Sequence, residues 1–126
     1  MKKQIISAQN APAALGPYSH AVLAGDTLYI SGQLGLDPAT GAMPESVTEQ
    51  AEQSLKNLGA ILEAAGMSYA DVVKTTVFLS DMNDFVAINE VYARFFASDC
   101  PARSCVQAAA LPKGAKFEAE AIAVKG

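Results

Sequence analysis

The stretch V-V-K-T-T-V-F-L-S, Val72–Ser80, decides how this chain folds. Val72, Val73, Thr75, Thr76 and Val77 are β-branched, which is a strand composition. A period of two puts Val73, Thr75, Val77 and Leu79 on one face and Lys74 and Thr76 on the other. Helices flank it on both sides. Before it, Val47, Ala51, Leu55, Leu58, Leu62 and Ala65 recur at helical spacing and predict a helix over 47–65. Ser46 and Glu49 have capping-box spacing at its start, and Gly66 suits the position just past its end. After the strand, Asp81 can cap a second helix reaching about Ser98, with Phe85, Ile88, Tyr92 and Phe95 as its apolar stripe. Cys100-Pro101 closes it, because the residue before proline disfavours the helical region.

Further out, both ends read as β-hairpins. In A-V-L-A-G-D-T-L-Y-I-S-G (21–32), Gly25-Asp26 separates two short apolar runs. The segment 37–44, D-P-A-T-G-A-M-P, is loop chemistry, and 11–21 is broken by Pro12, Gly16 and Pro17. At the other end, Ser104–Ala109 and Lys116–Val124 read as strands joined by L-P-K-G-A. Hairpin, helix, strand, helix, hairpin predicts an α+β fold: a mixed β-sheet with two helices packed on one face. The other face is then either solvated or covered by a partner subunit.

With 126 residues the chain fits a single domain, 1–126, and can bury a core without metal or disulfide staples. It is 51% apolar and 17% charged, a globular balance too low in charge for disorder. A net charge of −4 argues against nucleic acid as a partner. No apolar run approaches the ~18 residues a membrane span needs, so no membrane partner is expected. The start M-K-K-Q-I-I-S-A-Q-N has two lysines but no apolar stretch behind them, which predicts no secretory leader. With only Cys100 and Cys105, the expectation is a cytoplasmic protein with reduced thiols.

Three charges in the last 25 residues carry the chemical argument. Arg103 is a poor acid or base, but its planar fork can grip a carboxylate with two parallel hydrogen bonds. The same residue type also makes salt bridges, here with Glu90 or with a partner subunit. Glu118 and Glu120 share a strand face with Ile122 and Val124; two adjacent carboxylates repel and do not suit a dry core. They read as a solvated strand end, or as a carboxylate that positions and deprotonates a water. Tyr18, on the stiff Gly-Pro loop, can donate to a ligand or anchor the loop. Ser31-Gly32 can let a ligand approach the backbone closely, or permit a turn. Asn89, polar on an apolar helix, can line a pocket or cap a loop. His20 is the only histidine, so a His-rich metal cluster is excluded, and there is no CxxC, Walker or dinucleotide glycine pattern. Cys105 reads as a small, partly buried thiol; no cofactor is expected.

Taken together and in order, G-P-Y-S, Y-I-S-G-Q-L-G, V-K-T-T-V-F-L-S-D-M-N-D-F, P-A-R-S-C-V and E-A-E-A-I-A-V resemble the RidA family of enamine/imine deaminases, over nearly the whole chain. The resemblance implies a chorismate-mutase-like fold, with three subunits packing their sheets into a barrel and a cleft between each pair. It implies hydrolysis of 2-imino acids such as 2-iminobutanoate and 2-iminopropanoate, released by enzymes dependent on pyridoxal phosphate, to 2-keto acids and ammonia without a cofactor. It places the carboxylate grip on Arg103, the water-holding carboxylate on Glu118 and the pocket tyrosine on Tyr18. Ser31, Gly32, Asn89 and Cys105 fall on substrate-contacting positions, Cys105 through its backbone. Phe117 and Ala119, which flank the glutamate, lie on the opposite face and imply a change of packing only. The rival reading is a non-catalytic trimer that binds small carboxylates, or a chaperone-like holdase.

Overall fold

The computed structural model describes residues 2–126. Its strands are β1 (Lys3–Ile6), β2 (Ala21–Ala24), β3 (Thr27–Leu34), β4 (Val72–Leu79), β5 (Ala102–Gln107) and β6 (Phe117–Val124); its helices are α1 (Val47–Ala64) and α2 (Phe85–Phe95). The six strands form one mixed sheet in the order β1-β2-β3-β6-β4-β5. Both helices lie on one face, as the periodicity predicts.

The ends of the chain differ from the expectation. The last two strands do not form a hairpin. Instead β6 inserts between β3 and β4, antiparallel to both, while β5 runs parallel to β4 at the sheet edge. Parallel neighbours need a crossover, and α2 is that crossover. β1, a four-residue edge strand paired with β2, is an addition; three of its four residues are exposed, so it carries little hydrophobic pattern.

β6 explains why the helices can sit close to the sheet. Its helix-facing side is Phe117, Ala119, Ala121 and Ala123, all at most 3% exposed. Three alanines in the central strand leave room for the large side chains above them. Leu55, Leu58, Ile61 and Leu62 of α1 and Ile88 and Val91 of α2 fill that layer with Leu28, Val77 and Leu79 of the sheet. The predicted α1 stripe from Ala51 to Ala65 is buried there, with Val47 partly buried against it, and Ser46 caps α1 by accepting from the Glu49 N–H at 3.2 Å. The Glu49 carboxylate takes the Ser46 hydroxyl at 3.0 Å and not its backbone N–H, so only half of the capping box forms. Gly66 has φ +73, as its position past the helix requires.

Two bulges correct the simple alternation. One extra residue on β4 between Val72 and Lys74 leaves Val72 buried and turns Val73 outward, half exposed, contrary to the predicted face. An extra residue on β3 between Ile30 and Gln33 lets both of these face the helices and leaves Ser31 and Gly32 without partners on β6. Beyond this bulge β3 has lost β2 as a neighbour. A polar stripe on α1 replaces it: Ser54 Oγ donates to Gln33 O at 2.6 Å, and Asn57 Nδ2 donates to Leu34 O and Leu36 O at 3.1 and 2.9 Å.

α2 is shorter than predicted. Asp81 caps a 3₁₀ turn, Met82–Asp84, and α2 starts at Phe85. It ends at Phe95, well before Pro101, because Phe96 leaves the helical region to pack edge-on against Tyr69 and beside Tyr92, 5.7 and 4.8 Å between ring centroids.

Candidate active site

The register of β4 sorts the candidate residues onto two faces. Arg103 lies beside Thr75, and Cys105 beside Val77, on the helix-covered face. Glu118 lies beside Phe78, and Glu120 beside Thr76, on the uncovered face. β4 therefore separates Arg103 from Glu118, and they point to opposite sides of the sheet. Within a single chain the two charges thus share no cleft.

On the edge, Arg103 is held by one face of α2. Its guanidinium carbon sits 4.7 Å from the centroid of the Tyr92 ring and 5.4 Å from that of Phe85. Its Nη1 donates to Asn89 Oδ1 at 2.8 Å. Among the described residues no carboxylate lies within 4 Å of it; the ion pairs join Glu52 to Lys56 and to Arg94, so the sequence alternative of a bridge to Glu90 does not form. A guanidinium stacked on aromatic faces with most of its fork unused is prepared for a planar anion. Asn89 thus holds Arg103 in place. Neighbouring Cys105 is a free, half-buried thiol; burial pushes its pKa up against the opposing influence of Arg103, which makes it a weak nucleophile.

On the uncovered face, a cavity of about 540 Å³ is lined by Leu15, Tyr18, Ser31, Gly32, Glu118 and Glu120, among others. Glu118 is half-buried. Burial raises its pKa above the usual carboxyl range, and the Glu120 charge adds to the rise. Gly32 makes room for it: a Cβ there would stand 2.6 Å from Glu118 Oε2 and 2.9 Å from Cδ. What approaches the glycine backbone is thus the protein's own carboxyl. Ser31 Oγ donates to Ser19 O at 2.6 Å, so its hydroxyl clamps the Tyr18 loop to β3. Tyr18 is exposed, and its hydroxyl accepts from Leu15 N at 3.2 Å, leaving its own proton to donate.

His20 was not singled out as a site residue, yet it pins this loop. Its Nδ1 accepts from the Ala8 N–H at 3.0 Å and its Nε2 lies 2.7 Å from Pro12 O. Both bonds form together only in the neutral tautomer protonated at Nε2. The sequence marks Phe85 and Tyr92 only as core stripe; the further signal is the helix face they share with Asn89, at spacings of four and three.

The arrangement defines a class: a small α+β protein with an arginine stacked on aromatic rings at a sheet edge and a desolvated carboxyl in a cavity on the open face. Comparison with known proteins sharpens it. The family model for Endoribonuclease L-PSP matches residues 8–125, and the chain belongs to that family. A 2-iminobutanoate/2-iminopropanoate deaminase of Capra hircus is 58% identical over 125 residues, covering 98% of this chain and 91% of the relative; the Homo sapiens protein of the same name is 53% identical with the same coverage. Among solved structures, RidA from an Antarctic Psychrobacter superposes with a TM-score of 0.95 at 51% identity, over 97% of this chain and 99% of that one. E. coli TdcF with bound serine superposes with a TM-score of 0.95 at 50% identity, over 98% and 99%. The RidA resemblance and the α+β fold class both stand.

Proposed function

We propose that this protein is a 2-imino acid deaminase that hydrolyses 2-iminobutanoate and 2-iminopropanoate to the 2-oxo acids and ammonia. The observation that carries the reading is the Arg103 guanidinium, held over two rings and, among the described residues, without a carboxylate partner, in a chain of net charge −4. The names of its relatives support it.

The chemistry is a hydrolysis. Water adds to the C=N carbon, forming a C–O bond and passing one proton to the nitrogen; the C–N bond then breaks as the second water proton also reaches the nitrogen, leaving C=O and ammonia. The carbon keeps its oxidation level, so the reaction asks for orientation and proton transfer and for no electron acceptor. Arg103 binds the carboxylate next to the imine carbon. Glu118, its pKa raised toward the working range of a general base, orients the water and takes up its proton. Tyr18 donates to the substrate from the cavity rim. Fixing two reactants in this way supplies a large part of the rate.

Arg103 and Glu118 act on one substrate only if a second copy completes the site. We therefore place the reaction between subunits of a homotrimer whose uncovered sheet faces meet. Supporting this, Ile5, Tyr29, Val73, Val106 and Val124 stand 38–51% exposed, and all but the bulged Val73 lie in register on that face. The proposal extends to a cytoplasmic location, in keeping with two free thiols. A dehydratase that releases 2-iminobutanoate in place tests the reading. Wild type accelerates 2-oxobutanoate formation, while Arg103→Ala and Glu118→Gln lose on the order of a hundredfold or more while folded. No acceleration by folded wild type points to the carboxylate-binding alternative. Near-normal rates in Arg103→Ala sink the assignment of that residue.

A further inference from the structure

We propose that Tyr92 is a positioning residue: its ring fixes the plane in which Arg103 presents its fork, and so selects substrates with a carboxylate beside the reacting carbon. This rests on the reading of Arg103 as the group that binds the substrate carboxylate. A free arginine side chain samples many rotamers, and a bidentate grip works in only one plane. Here the plane is set by one face of α2. Phe85, Asn89 and Tyr92 follow one another at spacings of four and three, which places all three over the same guanidinium.

Of these, Tyr92 alone is itself held at both ends. Its hydroxyl lies 2.8 Å from Thr75 Oγ1, and its ring packs on Phe96 with centroids 4.8 Å apart. Thr75 is the register neighbour of Arg103 across the β4–β5 ladder. The contacts therefore close a circuit from Arg103 to the Tyr92 ring, through the phenol to Thr75, and along the ladder back to Arg103. The position of the guanidinium is thereby tied to the core and not to solvent. At 7% exposed and away from the cavity lining, Tyr92 has no path to a ligand of its own. It acts through Arg103.

Two readouts test this on the full-length protein. The chain has two arginines, Arg94 and Arg103, so the Nε–Hε signals of ¹⁵N-labelled protein assign by the one that vanishes in Arg103→Lys. In wild type the Arg103 signal stands upfield of Arg94, shifted by the ring beneath it. Tyr92→Phe keeps the ring, the shift and a KM within about threefold of wild type. Tyr92→Leu moves the signal toward that of Arg94 and raises KM about tenfold, the size of one cation–π contact, with kcat changed less. If Tyr92→Leu does not fold, Tyr92→Met, nearer in volume, carries the same readouts. An Arg103 signal left in place by the loss of the ring overturns the proposal, as does a KM that stays within twofold when the signal moves. A wild type that does not hydrolyse imines refutes the proposed function, and the arginine signal still decides whether Tyr92 positions Arg103.

Discussion

The two sides of β6 belong to different environments. Phe117, Ala119, Ala121 and Ala123 face the helices and are sealed from water, whereas Glu118, Glu120, Ile122 and Val124 face the open side and stay partly or largely wet. The same eight residues thus serve as the packed centre of the fold and as one wall of the candidate site. The sealed side tolerates little change, because small alanines set how closely two helices approach. The open side carries carboxyls and apolar side chains together, a mixture that a finished monomer surface rarely shows in so regular a row. The sheet is thus sealed on one side, while its open side leaves a mixed apolar and acidic surface that the proposed homotrimer would cover.

Substitutions on either side can break or sharpen that contrast. The largest stability effect is expected on the sealed side: Phe117→Ala costs about 3–5 kcal/mol, read by urea unfolding, because Phe117 is fully buried in the core and its loss leaves a cavity there. For the proposed homotrimer, placing a charge on the open side at Tyr29→Glu is expected to leave the far-UV circular dichroism unchanged, to give monomer in sedimentation equilibrium where wild type gives trimer, and to abolish activity. A trimer that survives would move the interface elsewhere. Gly32→Ala sharpens the contrast further. The added methyl meets the end of a flexible side chain, so stability changes by less than about 1 kcal/mol, yet the displaced Glu118 carboxyl costs on the order of a hundredfold in kcat/KM.

The smallest effect is a pH dependence. Folding raises the Glu118 pKa, because burial and the Glu120 charge disfavour its ionised form. Its deprotonation therefore favours the unfolded chain. Relative stability is whole below the unfolded carboxyl pKa, and falls as pH rises through the higher folded value. Glu118→Gln should accordingly gain Tm over wild type at neutral pH and lose that advantage in acid. An equal difference at both ends of the range would show that the carboxyl is not desolvated.

Much of this was legible in the residues. The α1 stripe, the Gly25-Asp26 hairpin and the β-branched Val72–Ser80 strand are local patterns, and they form where their periods place them. Arg103, Glu118 and Tyr18 stand out by residue chemistry, a fork that can grip a carboxylate, a carboxyl that can hold water and a phenol on a stiff loop, but each also has a structural reading, and their site roles come from the RidA resemblance. The hairpin drawn between the last two strands was wrong for a physical reason: short sequence separation favours pairing, but the apolar alternation of β6 on its helix side is best buried at the sheet centre, between β3 and β4. The Val73 face was wrong because one extra residue in a strand leaves no mark on composition. The edge strand β1 was missed because an exposed strand need not alternate.

The sequence by itself determined both helices and five of the six strands, the α+β class, the family and the identity of the charged residues, since helical and strand periods and residue chemistry are local properties of the chain. Only the tertiary structure decided that Arg103 and Glu118 stand on opposite faces, that Tyr92, Phe85 and Asn89 form the seat of the arginine, and that Gly32 yields its space to a carboxyl. These depend on strand order and register, which are set by which surfaces exclude water together, and no single segment carries that information.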